Sequence, residues 1–290
     1  MFITLNADIF KAYDIRGVYP DEVNEDAARA IGAAFVVYLN ARRIAVGRDM
    51  RLSSPSLASA FIEGALSHGA DVVDYGMIPT DTLYFAVARD RHDGGVQITA
   101  SHNPKQYNGM KLVRAEAFPL SGDAGIGDIR DMIAQDRLPP PASKRGSVTS
   151  RNVVEAYVDH VMSFIDPAIV RPFNVVLDAG SGMAGLMAPK LFDRLPCRTT
   201  PLCFEIDGRF PRHEANPLIE ENRRDITERV VAEKADVGIA WDGDADRCFF
   251  IDGAGAFVPG DFVTALLAEA FLLKHPGATV IYDLRASRAV

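Results

Sequence analysis

Short apolar runs of strand length alternate along the chain with segments whose apolar residues recur at helical spacing. One unit begins with an apolar run at residues 43–49 that ends in charged residues. Ser54 and Pro55 then predict a helix start, with Ser54 as the N-cap and Pro55 at the first helical position, and Gly69 predicts its end. A second apolar run follows at residues 71–75. This alternation is typical of strands joined by crossover helices, so we expect an α/β fold with mixed or parallel sheets.

A polar, proline-rich stretch interrupts this pattern near the middle of the chain. Residues 138–150 read LPPPASKRGSVTS, which breaks all periodicity and predicts a linker. We therefore expect successive α/β domains of similar topology. Their predicted bounds are residues 1–146, 147–249 and 250–290.

The third of these units is the shortest. It would start with an apolar run at residues 249–252, continue with a helix at 261–274 and end with a strand at 279–283. Too few residues follow that strand to cover the faces of a sheet. We therefore expect the third domain to be incomplete and the chain to be part of a longer protein.

Charge and cysteine content narrow the functional classes. The 31 basic and 39 acidic residues give a formal net charge of −8, which repels polyanions, so we expect neither a nucleic-acid partner nor binding to a membrane surface. Cys197, Cys203 and Cys248 are odd in number and lack CxxC spacing, so neither a disulfide framework nor a zinc knuckle is indicated. No apolar stretch is long enough to span a membrane. A reducing, cytoplasmic location fits best.

An acidic motif, WDGDADR, follows the apolar run that ends at Trp241. Asp242, Asp244 and Asp246 alternate in the chain, and alternate side chains of an extended segment point the same way, so the carboxylates can converge on one hard cation such as Mg²⁺. An EF-hand would need glycine and glutamate where this chain has Arg247 and Gly253. A solvated acidic turn is the remaining alternative.

A second polar loop, TASHNP, follows the apolar run at residues 95–99. Ser101 is a poor nucleophile at its ordinary pKa and needs a base, a metal or both. His102 is adjacent in the chain and so a doubtful base, whereas Lys111 lies beyond a turn and could fold back. The loop lacks the glycines of a GxSxG nucleophile elbow, which argues against an α/β-hydrolase. An ordinary Asn-Pro turn with a capping serine is the alternative.

A glycine motif, GSGMAG, occupies residues 180–185 and matches the dinucleotide-binding pattern GxGxxG. Glu205 stands at about the position of a ribose-binding acid. A nicotinamide-dependent oxidoreductase is therefore a competing interpretation. The other is that the glycines only permit a tight turn from strand to helix.

Four motifs occur in a characteristic order: YDIRG, TASHNP, YNGMK and DGDADR. In this combination the chain resembles the α-D-phosphohexomutase superfamily, especially the phosphomannomutases and phosphoglucomutases. The resemblance covers the whole chain but only the first part of the family's architecture, in which several domains surround a central cleft.

The resemblance implies roles for individual residues. Ser101 would carry a phosphoryl group, and one Mg²⁺ ion would be held by Ser101 together with Asp242, Asp244 and Asp246. Lys111 would take part in acid and base transfer. The other implied residues are His102 and Arg247 as catalytic side chains and Tyr13, Arg16, Asn103 and Arg285 as substrate- or phosphate-binding side chains. Arg285 stands where relatives often have lysine, which exchanges a point donor for a planar fork.

The implied reaction is that of an isomerase working by phosphotransfer. Phosphorylated Ser101 would exchange its phosphoryl group with a sugar monophosphate, interconverting hexose 1-phosphates and 6-phosphates of mannose or glucose through a bisphosphorylated sugar, with glucose 1,6-bisphosphate as activator. Because the later domains of the family are not included, we expect this chain alone to show little or no turnover. A nicotinamide oxidoreductase and a non-catalytic sugar-phosphate-binding module are the alternatives.

Overall fold

The first of two β-sheets positions the serine loop. The computed structural model describes residues 6–282 and 286–287. The strands of this sheet are β1 (Ile15–Val18), β2 (Arg43–Arg48), β3 (Asp71–Met77), β4 (Gly94–Ile98), β5 (Tyr107–Arg114) and β6 (Val148–Ser150). They lie in the order β1-β5-β4-β2-β3-β6. Strands β4, β2, β3 and β6 are parallel, and β5 is antiparallel to both of its neighbours.

Helices cover both faces of this sheet. They are α1 (Glu25–Leu39), α2 (Ser54–Ser67), α3 (Thr80–Arg89), α4 (Ile126–Ala134) and α5 (Val154–Met162). A core of buried residues from α1, α2 and α4 fills one face, and residues of α3 and α5 pack on the other. The four-residue apolar centre of β2 is buried because it is covered on both sides, as expected of a central parallel strand.

The second sheet carries the acidic loop. Its strands are β7 (Asn174–Asp178), β8 (Arg198–Leu202), β9 (Val237–Trp241), β10 (Cys248–Asp252) and β11 (Phe257–Val258), in the order β11-β10-β9-β7-β8. The helices in this part of the chain are α6 (Ala184–Phe192), α7 (Arg224–Glu233) and α8 (Gly260–Lys274). Strands β7, β8 and β9 are parallel, whereas β10 returns antiparallel to β9. The predicted α/β class with successive mixed sheets is therefore confirmed.

Three expectations about the strands differ from the structure. The apolar run at 249–252, expected to open a third unit, pairs with β9 as β10 of the second sheet. Residues 148–150, expected to be linker, form the exposed edge strand β6 beside β3, held by backbone pairing and not by an apolar face. Of the strand expected at 279–283, residues 279–282 are not in a strand, and the remaining residue lies outside the described part. The domain bounds at 146 and 249 stay predictions.

The two sheets share a buried contact. Met187 of α6 belongs to the same apolar cluster as Tyr75 and Leu83 of the first sheet's layer. A smaller cluster joins Met50 to Met183 and Phe210. These contacts hold the carboxyl ends of both sets of parallel strands close together, where ligand sites of open α/β sheets form. Among the helices that the structure describes, none is long and apolar enough to cross a bilayer.

Close packing of α1 on α2 depends on two glycines. A Cβ added at Gly64 would lie 2.0 Å from the backbone oxygen of Arg29, and one at Gly32 would lie 2.2 Å from the backbone oxygen of Phe61. We expect Gly64→Ala to lower the free energy of unfolding by about 1–3 kcal/mol, because the helices must move apart.

The measurement is urea unfolding of the wild type and the variant. Gly260→Ala in α8 is the matched control, since a Cβ there would have no heavy atom within 4 Å. If Gly64→Ala were as stable as Gly260→Ala, the helix contact would not be as close as described.

Candidate active site

The serine loop connects β4 to β5 and turns sharply at Ser101. This residue has φ +49°, in the left-handed region that a serine rarely adopts. Its backbone N–H donates to Thr99 Oγ1 at 2.9 Å, and the residue is only 2% exposed. A strained backbone held in this way aims the hydroxyl in one direction.

A buried arginine, Arg51, holds the loop from beneath. Its guanidinium donates to the backbone oxygens of Ser101 and Asn103 at 3.0 and 2.6 Å and to those of Pro104 and Tyr107 at 2.8 and 3.0 Å. Arg51 is 1% exposed. Sequence reasoning missed this residue. The only signal was a charged cluster directly after the buried strand β2.

Asp49 completes the support beneath the loop. It accepts from Arg51 Nε at 3.2 Å, from Ser54 Oγ at 2.6 Å and from Thr99 Oγ1 at 2.8 Å. Ser54 therefore is not an N-cap: α2 begins at this residue, and its hydroxyl is directed to the loop support. The carboxylate balances the charge of the buried guanidinium, as burial of an ion requires.

Arg16 of β1, predicted to bind phosphate, reaches the loop from the other side. Its Nη1 donates to the backbone oxygen of Ala100 at 2.5 Å and to Asn103 Oδ1 at 2.9 Å, while Nη2 pairs with Asp14. Arg16 thus links β1 to the serine loop through the backbone oxygen of Ala100 and the side chain of Asn103. Tyr13, predicted beside them, is 82% exposed.

The acidic loop connects β9 to β10. Asp242 and Asp244 are buried at 1% and 0% exposure, whereas Asp246 is exposed. Oxygens of the three carboxylates lie within 4.8 Å of one another. The loop is a hairpin turn whose flanking residues Trp241 and Cys248 are paired, and within this turn the three alternating carboxylates converge.

The glycine motif at 180–185 supports the acidic loop. Met183 N–H donates to the backbone oxygen of Gly243 at 2.9 Å, and a Cβ at Gly182 would lie 2.6 Å from that oxygen. Glu205, the expected ribose-binding acid, is exposed. These glycines therefore serve a tight turn and close packing. The interpretation as a nicotinamide-dependent oxidoreductase is not supported.

The two loops meet although 141 residues separate them. Ser101 Oγ donates to Asp242 Oδ2 at 2.7 Å. Arg247 Nη2 donates to Ser101 Oγ at 2.5 Å and to Asp242 Oδ2 at 2.6 Å. His102 Nδ1 lies 3.4 Å from Ser101 Oγ and contacts the same Arg247 nitrogen. The serine hydroxyl thus lies between a carboxylate and a guanidinium.

Lys111 and Thr80 fix the second carboxylate. Lys111 Nζ donates to Asp244 Oδ2 at 2.6 Å and also to Asp246. Thr80 Oγ1, at the start of α3, donates to the same Asp244 oxygen at 2.5 Å. Lys111 therefore lies beside the acidic loop, and Thr80 was not predicted because nothing in its local sequence indicates a role at the site.

Burial and neighbouring charges shift the pKa values of the site residues, reinforcing each other at Asp242 and His102 and opposing each other at Asp244 and Lys111. Burial, then Asp244 and Asp246, raises the pKa of Asp242. Burial works to raise the pKa of Asp244 as well, but Lys111 outweighs it and holds that pKa low. The carboxylates raise the pKa of Lys111 against the effect of burial, so Lys111 is an ammonium. Burial and the neighbouring arginines lower the pKa of His102 to about 4, so His102 is neutral.

A hard cation fits the acidic loop. Asp244 Oδ1 is buried and has no hydrogen-bond partner among the described residues. An ionised oxygen left unpaired in this way is costly, and a metal ion would satisfy it. Three carboxylates around one point favour an oxygen-seeking ion such as Mg²⁺. Arg285, the last predicted site residue, lies outside the described residues.

The chain matches known families and structures over most of its length. Residues 7–138 match phosphoglucomutase/phosphomannomutase alpha/beta/alpha domain I, and residues 155–255 match domain II of the same family. The chain is 45% identical over 280 residues to phosphohexose mutases of Xanthomonas campestris, covering 95% of this chain and 61% of that protein. It is 44% identical over 283 residues to a phosphomannomutase of Escherichia coli, covering 95% and 62%.

Solved structures give the same result. A phosphoglucomutase/phosphomannomutase family protein of Burkholderia thailandensis superposes with a TM-score of 0.91 at 36% identity, covering 98% of this chain and 63% of that one. A putative phosphomannomutase of Thermus thermophilus gives a TM-score of 0.82 at 24% identity, which supports the fold. This chain spans 61% to 63% of the length of these relatives.

Proposed function

The chain belongs to the phosphoglucomutase/phosphomannomutase family of the α-D-phosphohexomutases, and from this premise we propose that it takes part in interconverting hexose 1-phosphates and hexose 6-phosphates through a phosphorylated Ser101. One observation supports the proposal most: Ser101 Oγ lies 2.7 Å from Asp242 Oδ2 and 2.5 Å from Arg247 Nη2. This arrangement suits a hydroxyl that exchanges a phosphoryl group.

Mg²⁺ would be held by Asp242, Asp244 and Asp246, with an oxygen of phosphorylated Ser101 as a further ligand. When bound, the ion supplies positive charge to the phosphoryl oxygens and so lowers the barrier to transfer. The unpaired buried oxygen of Asp244 favours one ion at this loop.

The transfer itself exchanges one P–O bond for another. A hydroxyl oxygen of the sugar monophosphate forms a bond to phosphorus as the Ser101 Oγ–P bond breaks. Water takes the proton of the attacking hydroxyl, and Lys111 supplies the proton that Oγ receives and recovers one from water. The bisphosphorylated sugar then returns its other phosphoryl group to Ser101. Phosphoryl transfer depends mainly on alignment and charge neutralisation, which Arg247 provides through its contact with Oγ.

Lys111 is suited to donating the proton in this exchange. Its contacts with Asp244 and Asp246 keep it charged, so it is an acid and not a base in the form described. We therefore assign Lys111 the donation of a proton and the stabilisation of negative charge. His102 is neutral, and its Nδ1 lies 3.4 Å from Ser101 Oγ.

Substrate and activator follow from the same site. A sugar monophosphate of mannose or glucose is the proposed substrate, and glucose 1,6-bisphosphate is the proposed source of the phosphoryl group on Ser101. The site residues lie in an acidic protein, and each cation near Ser101 is paired with a carboxylate: Arg247 with Asp242, Lys111 with Asp244 and Asp246, and Arg16 with Asp14. A Mg²⁺ ion at the acidic loop would add the positive charge that an anionic sugar phosphate requires.

The test is the mass of the intact chain after incubation with glucose 1,6-bisphosphate and Mg²⁺. We expect a gain of one phosphoryl group, mapped by peptide mass to Ser101, and its loss when glucose 6-phosphate is added. Ser101→Ala should show neither change. Ser163→Ala, which alters an exposed serine far along the chain, should behave as the wild type.

Two outcomes would contradict the proposal. One is binding of the bisphosphate without any mass change, which would indicate a non-catalytic binding module. The other is a phosphoryl group that is still gained by Ser101→Ala.

A further inference from the structure

A second group of metal-ligand side chains lies at the carboxyl ends of β7 and β8, separate from the acidic loop. Asp178 is the last residue of β7, Cys203 directly follows β8, and His213 lies in the loop beyond. His213 Nε2 lies 3.1 Å from Asp178 Oδ2 and 3.6 Å from Cys203 Sγ. The ligand atoms of all three residues lie within 4.8 Å of one another.

These separations match the edges of a tetrahedral zinc site. With Zn–S near 2.3 Å and Zn–N near 2.0–2.1 Å, the sulfur and nitrogen ligands of one ion are about 3.5–3.6 Å apart, and nitrogen and oxygen ligands about 3.3–3.4 Å. The sulfur–nitrogen distance of 3.6 Å agrees with the first value, and the nitrogen–oxygen distance of 3.1 Å is slightly shorter than the second.

The other polar atoms of the ligands are already engaged. His213 Nδ1 lies 3.0 Å from the backbone oxygen of Glu214, to which it donates. Asp178 Oδ1 accepts from the backbone N–H of Gly180 at 2.9 Å. A histidine that donates one nitrogen to a backbone oxygen presents the other to a metal in a fixed orientation. His213 Nε2 and Asp178 Oδ2 are therefore the atoms of these two side chains that would bind a metal together with the Cys203 thiol.

The charges of the three side chains also suit a divalent cation, since the buried carboxylate of Asp178 faces His213. One thiolate and one carboxylate with a neutral imidazole would balance the two charges of the ion.

We propose that Asp178, Cys203 and His213 bind one Zn²⁺ ion, with the fourth position left to water. Nitrogen and sulfur ligands favour zinc over magnesium, which takes oxygen ligands. Cys203 is partly exposed, so an ion can enter from that side. The ion would join two strand ends to the loop of His213 and stabilise the turn that supports the acidic loop.

Cobalt(II) is the probe, because a thiolate bound to cobalt gives a charge-transfer absorption that oxygen ligands do not. Excess Mg²⁺ is present to occupy the acidic loop. We expect the absorption to saturate at one equivalent of Co²⁺ and to disappear when one equivalent of Zn²⁺ is added. Cys203→Ala should abolish it, and Asp178→Asn should weaken Co²⁺ binding about tenfold or more.

Matched variants make the result specific. Cys197→Ala and Cys248→Ala remove the other two cysteines of the chain and should retain the absorption. Asp244→Asn, which alters the acidic loop, should retain it as well, so that failure of the proposed mutase site would not affect this test. Circular dichroism of Cys203→Ala confirms that the variant is folded.

The proposal is overturned if no thiolate absorption forms with Co²⁺, or if the absorption survives in Cys203→Ala. In either case Asp178 and His213 would be an ion pair only.

Discussion

Asp244→Asn is expected to slow phosphorylation of Ser101 by glucose 1,6-bisphosphate about 10²- to 10³-fold, the cost of removing one charge-stabilising group from a phosphoryl- or acyl-transfer site. The substitution removes one of the carboxylates that would hold Mg²⁺. It also places an amide where Lys111 and Thr80 both donate to an oxygen. If the asparagine oxygen accepts from both donors, the amide NH2 takes the place of the unpaired Oδ1, and an NH2 group donates hydrogen bonds but cannot bind a cation.

The rate is followed by intact mass over time at several Mg²⁺ concentrations. We expect the variant to need far more Mg²⁺ and to remain slow when the ion is saturating. Asp21→Asn is the control, since Asp21 is an exposed carboxylate in the turn before α1. Equal rates for Asp244→Asn and the wild type would mean that the acidic loop holds no ion needed for transfer.

Sequence pattern alone indicated that the serine loop and the acidic loop each follow a strand, where ligand sites of open α/β sheets form. The two loops belong to different sheets, so this pattern did not predict that they meet. The resemblance to a family added which residues share the site. The serine–aspartate contact at 2.7 Å agrees with that expectation.

Supporting residues could not be predicted in the same way. Arg51 binds backbone oxygens, and every residue has a backbone oxygen, so no pattern of side chains in the sequence predicts this contact. Cys203 and His213 lack the short spacing of a zinc motif, because the loop after β8 brings His213 to Cys203 and Asp178 only in the folded protein. The prediction that residues 249–252 open a third unit was wrong for a related reason. An apolar run indicates a buried strand but not which strand lies beside it.

Arg51→Leu is expected to lower the free energy of unfolding by about 3–5 kcal/mol, the cost of removing one member of a buried ion pair. The carboxylate of Asp49 would remain buried without its charged partner, and four backbone oxygens of the serine loop would lose their donors. Many domains are stable by only about 5–15 kcal/mol, so such a variant is close to unfolding.

Arg51→Lys separates the loop from the stability of the fold. Lysine keeps the charge beside Asp49, but an ammonium has three donors and no planar fork, so it cannot serve the same four oxygens. We expect this variant to fold, with a smaller loss of stability than Arg51→Leu and with slower phosphorylation of Ser101, because the left-handed turn at that residue is less firmly held. The control is Arg29→Leu, which removes a half-exposed ion pair with Asp26 on α1 and should change stability by less than about 1 kcal/mol. If Arg51→Lys folded and was phosphorylated as fast as the wild type, the buried guanidinium would stabilise the sheet without positioning the serine.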